Sequence, residues 1–188
     1  MGMTFANKIT IFRILSVPFF LTALLYYTPQ KDYLRFIALG IFLLAIISDA
    51  VDGYIARTRR QKTEAGAILD PLADKILLIT AFVVLYFVSN KFFAVRLPLW
   101  VMLVVISRDV TLLLGGGIIL ITNQKQEINP TWRGKLSTFL QMITIVSLLL
   151  KFSYSYVLWN VAMIFTVISG IDYLKKGIDL FNFQPQKR

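Results

Sequence analysis

At 188 residues, with 57% hydrophobic and only 16% charged positions and a mean hydropathy of +0.69, the chain is too apolar for a soluble domain of its size. It has neither cysteine nor histidine, which excludes disulfides, thiolate nucleophiles, soft-metal sites and imidazole acid–base chemistry and leaves carboxylates, amines, hydroxyls and hard cations. The formal charge of +10 does not imply nucleic acid, because Lys and Arg in a polytopic membrane protein set orientation and meet anionic headgroups.

Hydropathy marks six apolar segments, near residues 10–27, 33–57, 66–88, 97–122, 135–151 and 154–174. About 20 apolar residues cross a bilayer core of roughly 30 Å. The expected fold is therefore an all-α integral membrane protein, with six transmembrane helices in one bundle and a single domain over residues 1–188. The first segment, "MGMTFANKITIFRILSVPFFLTALLYY", starts with charge and turns apolar as a signal peptide does, but it has no small-residue cleavage site and reads as a retained first helix. Asn7, Thr10 and Arg13 fall at its start, with Asn7 in the position of a cap.

Segment two ends in "SDAVDGYIAR" and segment three opens with "GAILDPLADK", so Asp49, Asp52, Asp70 and Asp74 bracket the loop between them. Segment four carries Arg108 well inside its apolar run and then Gly115, Gly116 and Gly117, which mark a kink or a close helix contact. Segment five opens with Arg133 and Lys135. Pro18, Pro71 and Pro98 lie in or at the start of spans, where neighbouring helices re-satisfy freed backbone groups. Trp100, Trp132 and Trp159 read as interface-belt or packing residues.

Lys and Arg outside the apolar cores are unevenly placed. Thirteen fall on the N-terminal segment, the second and fourth loops and the C-terminal tail, whereas the other side holds Lys31, Arg35, Lys91, Arg96 and Lys151. The positive-inside rule puts both termini in the cytoplasm, and with them the aspartate-bearing helix ends.

Spacings of three (Asp49, Asp52) and four (Asp70, Asp74) put each pair on one helical face. The short second loop is expected to make helices two and three antiparallel neighbours, so that the two pairs face each other. Four carboxylates that close do not all stay ionised without cations, and hard oxygen donors favour Mg²⁺ or Mn²⁺, with enough ligands for two ions. Gly53, Ala56 and Gly66 keep the surrounding surface bare, and the fork of Arg57 suits a phosphate. The acids alone also admit a cation transporter, and aspartates with Mg²⁺ also serve intramembrane prenyltransferases, whose motifs differ in spacing.

The pattern D-x2-D-G-x2-A-R-x8-G-x3-D-x3-D, met at Asp49, Asp52, Gly53, Ala56, Arg57, Gly66, Asp70 and Asp74, resembles the signature of the CDP-alcohol phosphotransferase family at all eight fixed positions. The resemblance implies transfer of a phosphatidyl or phospho-alcohol group from a CDP-linked donor to an alcohol, with release of CMP. It implies that Asp49, Asp52 and Asp70 ligate the metals, that Asp74 completes the site and acts as base beside Asp70, and that Asp52, Gly53, Ala56, Arg57 and Gly66 line the nucleotide side. A homodimer in the cell membrane, with its active site facing the cytoplasm, is implied as well.

Within that family, "NKITIFRILSVPFF" resembles the N-x2-T-x2-R-x4-P segment of the bacterial phosphatidylglycerophosphate synthase branch, and "LDPLADK" and "FTVISGIDYLKKG" point the same way. This implies CDP-diacylglycerol as donor, with Asn7, Thr10 and Arg13 on its side, and glycerol 3-phosphate as acceptor. Arg108, Arg133 and Lys135 are the cations available for the acceptor's phosphate. "ISRDVTLLLGGG" departs from that branch and, with "NPTWRGKLSTFLQ", looks like the cardiolipin synthase branch, which uses phosphatidylglycerol. Arg108 is open to a second reading, an ion pair with Asp109 or with an aspartate of the cluster.

Overall fold

The structure is a computed structural model that describes the backbone of residues 5–59, 64–121 and 132–182, and the side chains of residues 11–49, 72–115 and 132–175. Its helices are α1 (Phe5–Leu25), α2 (Tyr33–Arg59), α3 (Glu64–Phe92), α4 (Leu99–Ile121), α5 (Trp132–Leu149) and α6 (Ser155–Asn182), with one 3-10 turn at Pro29–Lys31. Each expected segment is a helix. The ends differ: α1 begins before residue 10, and α6 continues past residue 174. Hydropathy ends where lipid would end, whereas a hydrogen-bonded helix continues until a breaker stops it. Asn7 consequently lies inside α1 and does not cap it. Helix α1 runs unbroken through Pro18, and Pro98 immediately precedes α4, its carbonyl accepting from Val101 N–H at 3.2 Å.

Among the described residues α1 packs along both α2 and α3. The buried side chains Phe20, Ala23 and Leu24 of α1 occupy the space between, with Phe20 against Phe42 of α2 at a centroid distance of 5.8 Å. The other half of the bundle is α5 along α6, with α4 on α6 and α3.

Side chains across the α5–α6 seam are polar. Ser137, Gln141 and Thr166 are fully buried; the Ser137 and Thr166 hydroxyls are 2.8 Å apart, and Gln141 Nε2 donates to Thr166 Oγ1 at 3.0 Å. In an apolar solvent such contacts hold helices together at roughly 0.6 kcal/mol each. Where Gly115 of α4 faces α6, an added Cβ would lie 2.8 Å from Cε1 of the Tyr173 ring, which packs over the glycine. Trp159 is buried in the core and Trp132 is exposed at the start of α5.

The outer surface is apolar, with Leu15, Phe19, Leu44, Phe87, Leu114 and Ile164 among its exposed large side chains. Patches of this extent are unfavourable against water. Among the described residues, two helices, Leu72–Phe92 and Ser155–Lys175, are long and apolar enough to cross a membrane, and Ile11–Leu25 is a shorter apolar helix.

The end of the bundle holding the α1–α2 and α5–α6 turns is pinned by charge. Asp32 accepts from Arg35 Nε at 3.0 Å and Nη2 at 2.7 Å, from Lys151 Nζ at 2.8 Å and from Tyr27 Oη at 3.2 Å. Arg35 also donates to the Leu149 carbonyl at the end of α5. Lys151 sits at φ 54, a left-handed conformation that glycine usually fills. Its amide donates to Leu148 O at 2.9 Å and that of Phe152 to Ser147 O at 2.9 Å, which closes the last turn of α5. The ion pair with Asp32 offsets the backbone cost of placing a lysine there.

Candidate active site

The opposite end gathers the residues that the sequence singled out. Asp49 lies in α2, with Asp52 one turn further on; Asp74 lies in α3, with Asp70 one turn before it. Gly53, Ala56 and Arg57 follow in α2, and Gly66 is in the first turn of α3. The side chains of Asp52, Gly53, Ala56, Arg57, Gly66 and Asp70 lie outside the described residues, as do those of Asn7 and Thr10 in α1.

Arg13 of α1 lies between the two acid-bearing helices. It is 2% exposed, and its Nη2 donates to Asp49 Oδ1. Its Nε and Nη1 are buried and have no partner among the described residues, although buried donors are nearly always paired. Asp49 is half-exposed. The charges of Lys75, Asp49, Arg13 and Asp109 all act on half-buried Asp74. Helix α1 thus brings the cation Arg13 to the carboxylate Asp49 of α2.

A second cluster stands beside this one. Asp109 of α4 is fully buried, and its Oδ1 accepts from Lys75 Nζ of α3 at 2.8 Å and from Arg108 Nη1 at 2.6 Å. Arg108 Nη2 donates to Ser169 Oγ of α6 at 3.1 Å and to the Gly134 carbonyl of α5 at 3.4 Å. Arg108 therefore has the ion pair with Asp109 that its sequence allowed. Arg108 Nε and Asp109 Oδ2 are buried without partners among the described residues. Arg133, half-exposed, pairs with Asp172 of α6 at 2.8 Å, and Lys135 is exposed in the first turn of α5.

Lys75, Asp109 and Ser169 were not singled out as site residues from the sequence. The available signal was Asp109 itself, an acid beside an arginine deep in an apolar helix, where neither charge is tolerated alone.

The donor chemistry fits a hard divalent cation: Asp49 is half-exposed, its charge acts on Asp74, and Asp52 and Asp70 are one turn away along the same helices. Among the described residues no three acids gather into a metal cluster. A carboxylate pair, a buried arginine with unused donors and a second cationic cluster together suit a phosphate-bearing substrate.

Known proteins are similar to this chain in sequence. The CDP-alcohol phosphatidyltransferase family model matches residues 3–168. A Mycobacterium tuberculosis protein named "Probable phosphatidylglycerophosphate synthase" is 34% identical over 92% of this chain and 81% of its own length. Proteins of Haemophilus influenzae and Bacillus subtilis, each named CDP-diacylglycerol–glycerol-3-phosphate 3-phosphatidyltransferase, are 33% identical (94% of this chain, 95% of theirs) and 30% identical (91% and 93%). The matched span includes Arg13, both acid-bearing helix ends, Lys75, Arg108 and Asp109, and the chain belongs to the CDP-alcohol phosphatidyltransferase family.

Proposed function

We propose that the chain transfers a phosphatidyl group from CDP-diacylglycerol to glycerol 3-phosphate and releases CMP. The observation that carries this reading is the meeting of Arg13, Asp49 and Asp74 at one end of the bundle, beside the Arg108 cluster, in a chain with the eight-position family motif. The names of the relatives in Haemophilus influenzae and Bacillus subtilis support the choice of acceptor.

In this reading Asp74 takes the proton from the acceptor hydroxyl. That oxygen bonds to the phosphorus bearing the diacylglycerol, and the bond between this phosphorus and the bridging oxygen of CMP breaks, with the electron pair leaving on CMP. A carboxylate is the base available to a chain without His. Asp49, Asp52, Asp70 and Asp74 would hold two Mg²⁺ or Mn²⁺ ions, which when bound supply charge neutralisation for the diphosphate. Arg13 fixes Asp49 and offers Nε and Nη1 to the donor, on whose side Asn7 and Thr10 also lie. Asp52, Gly53, Ala56, Arg57 and Gly66 form the nucleotide side, with Asp70 beside the base, and Arg108, Arg133 and Lys135 serve the acceptor's phosphate.

The helices act as six spans of one domain over residues 1–188 in the cell membrane, working as a homodimer, with both termini and the site on the cytoplasmic side. The apolar exterior and the Lys/Arg asymmetry support this.

The test is CMP formation from CDP-diacylglycerol and Mg²⁺ or Mn²⁺ with glycerol 3-phosphate, phosphatidylglycerol, serine, inositol or inositol phosphate as acceptor. Turnover is expected with glycerol 3-phosphate. Turnover confined to phosphatidylglycerol would move the chain to cardiolipin synthesis, and metal flux in sealed vesicles without CMP would make it a transporter.

A further inference from the structure

Asp109 holds two cations through one oxygen. Lys75 comes from α3, one residue after Asp74, and Arg108 comes from α4. Lys75 Nζ reaches across to Asp109 of α4 at 2.8 Å, although Lys75 follows Asp74 directly in the chain. The Lys75–Asp109 bridge therefore spans from the helix that carries the base to the helix that carries Arg108.

The guanidinium of Arg108 is fixed on several sides: Nη1 by Asp109, Nη2 by Ser169 and the Gly134 carbonyl, and its stem by α6, where a Cβ on Gly170 would sit 3.7 Å from Arg108 Cγ. Its Nε is buried and has no partner among the described residues. An arginine kept for packing alone would be expected to satisfy that donor, because a buried unpaired N–H is costly. Asp109 is fully buried and Lys75 and Arg108 are largely so, and the three carry two positive charges against one negative, a setting in which an anion near Arg108 is favoured.

We propose that Asp109 is a positioning residue for the acceptor: it orients Arg108 so that the Nε edge stays open to the phosphate of the incoming alcohol phosphate, and through Lys75 it sets the distance from that phosphate to the base on α3. The inference rests on the reading of glycerol 3-phosphate as acceptor. Small displacements of a bound reactant are expensive in rate, since a misplacement of about 1 Å can cost about a hundredfold, so a direct tie between the two helices has a defined use.

The test is steady-state kinetics on the full-length, detergent-solubilised protein, together with calorimetric binding of glycerol 3-phosphate in the absence of donor. In Asp109→Asn the KM for glycerol 3-phosphate is expected to rise about ten- to a hundredfold, the loss of a charge-assisted hydrogen bond, with the KM for CDP-diacylglycerol within about twofold of wild type. Calorimetry should show the same weakening. Asp109→Glu should restore part of it. Lys75→Met, which keeps the Arg108–Asp109 pair, should give a smaller rise in the same KM, and Lys75→Arg should behave like wild type.

Should Asp109→Asn not fold, Lys75→Met decides. An unchanged acceptor KM in Lys75→Met, or KM values for both substrates moving together with a fall in melting temperature, would overturn the inference while leaving the acceptor reading intact. A wild-type protein that turns over phosphatidylglycerol but not glycerol 3-phosphate would overturn both.

Discussion

The two ends of the bundle both collect charge in an apolar molecule, but they use it differently. At the end built from the α1–α2 and α5–α6 turns, both oxygens of Asp32 are engaged by Arg35, Lys151 and Tyr27. At the end carrying Asp49 and Asp74, Arg13 and Arg108 are buried yet, among the described residues, keep nitrogens without partners, and Asp109 keeps an oxygen without one. Charge that only holds a fold together is saturated by the fold. Charge retained with unused hydrogen-bonding capacity in a buried setting is consistent with a ligand completing it.

This contrast predicts effects on different observables. The largest belongs to Asp74→Asn, for which CMP formation should fall about 10²–10⁴-fold, the usual contribution of a general base, with little change in melting temperature. Full activity in this variant would remove Asp74 from the chemistry. Arg13→Ala comes next: it leaves Asp49 without its cation and removes the donors Nε and Nη1, so a loss of about ten- to a hundredfold in kcat/KM for the donor is expected, with Arg13→Lys recovering only part because a point charge does not reproduce the fork.

At the other end, Asp32→Asn should leave both KM values and kcat unchanged and lower stability by about 1 kcal/mol, a modest value because Asp32 is partly exposed and its ion pairs are screened. The hydrogen bonds from Arg35 and Lys151 hold the Asp32 carboxyl well below the usual carboxylate range. A depressed pKa contributes stability that is fully present above the unfolded value, near 3.9, and is lost as pH falls through the lower folded value. Thermal unfolding of wild type minus Asp32→Asn should therefore give a flat difference from about pH 5 to 8 that declines only in strong acid. A difference that varies near neutrality would show another group at work. The smallest effect is at Gly115→Ala, where the new Cβ meets the Tyr173 ring at 2.8 Å; the ring must shift, and a loss of up to about 1 kcal/mol in stability without a change in substrate KM is expected.

Much of this protein is determined locally and can be read along the chain. Six apolar runs gave six helices because lipid-length hydrophobicity is a property of each segment. The eight-position motif named the donor chemistry because its residues are close in sequence, and Gly115 was recognisable as a close contact because only a missing side chain permits one.

Contacts between helices distant in the chain were decided by tertiary packing. Among the described residues α1 packs along both α2 and α3, and this makes Arg13, 36 residues away in the chain, the partner of Asp49. Asp109 is one of several acids in the sequence, and only the approach of α3, α5 and α6 to α4 makes it the residue shared by Lys75 and Arg108. Periodicity shows which face of a helix is apolar. Which helix covers that face depends on how side chains of all six fit together, and where lipid is as apolar as the core, packing and polar pairing make that choice.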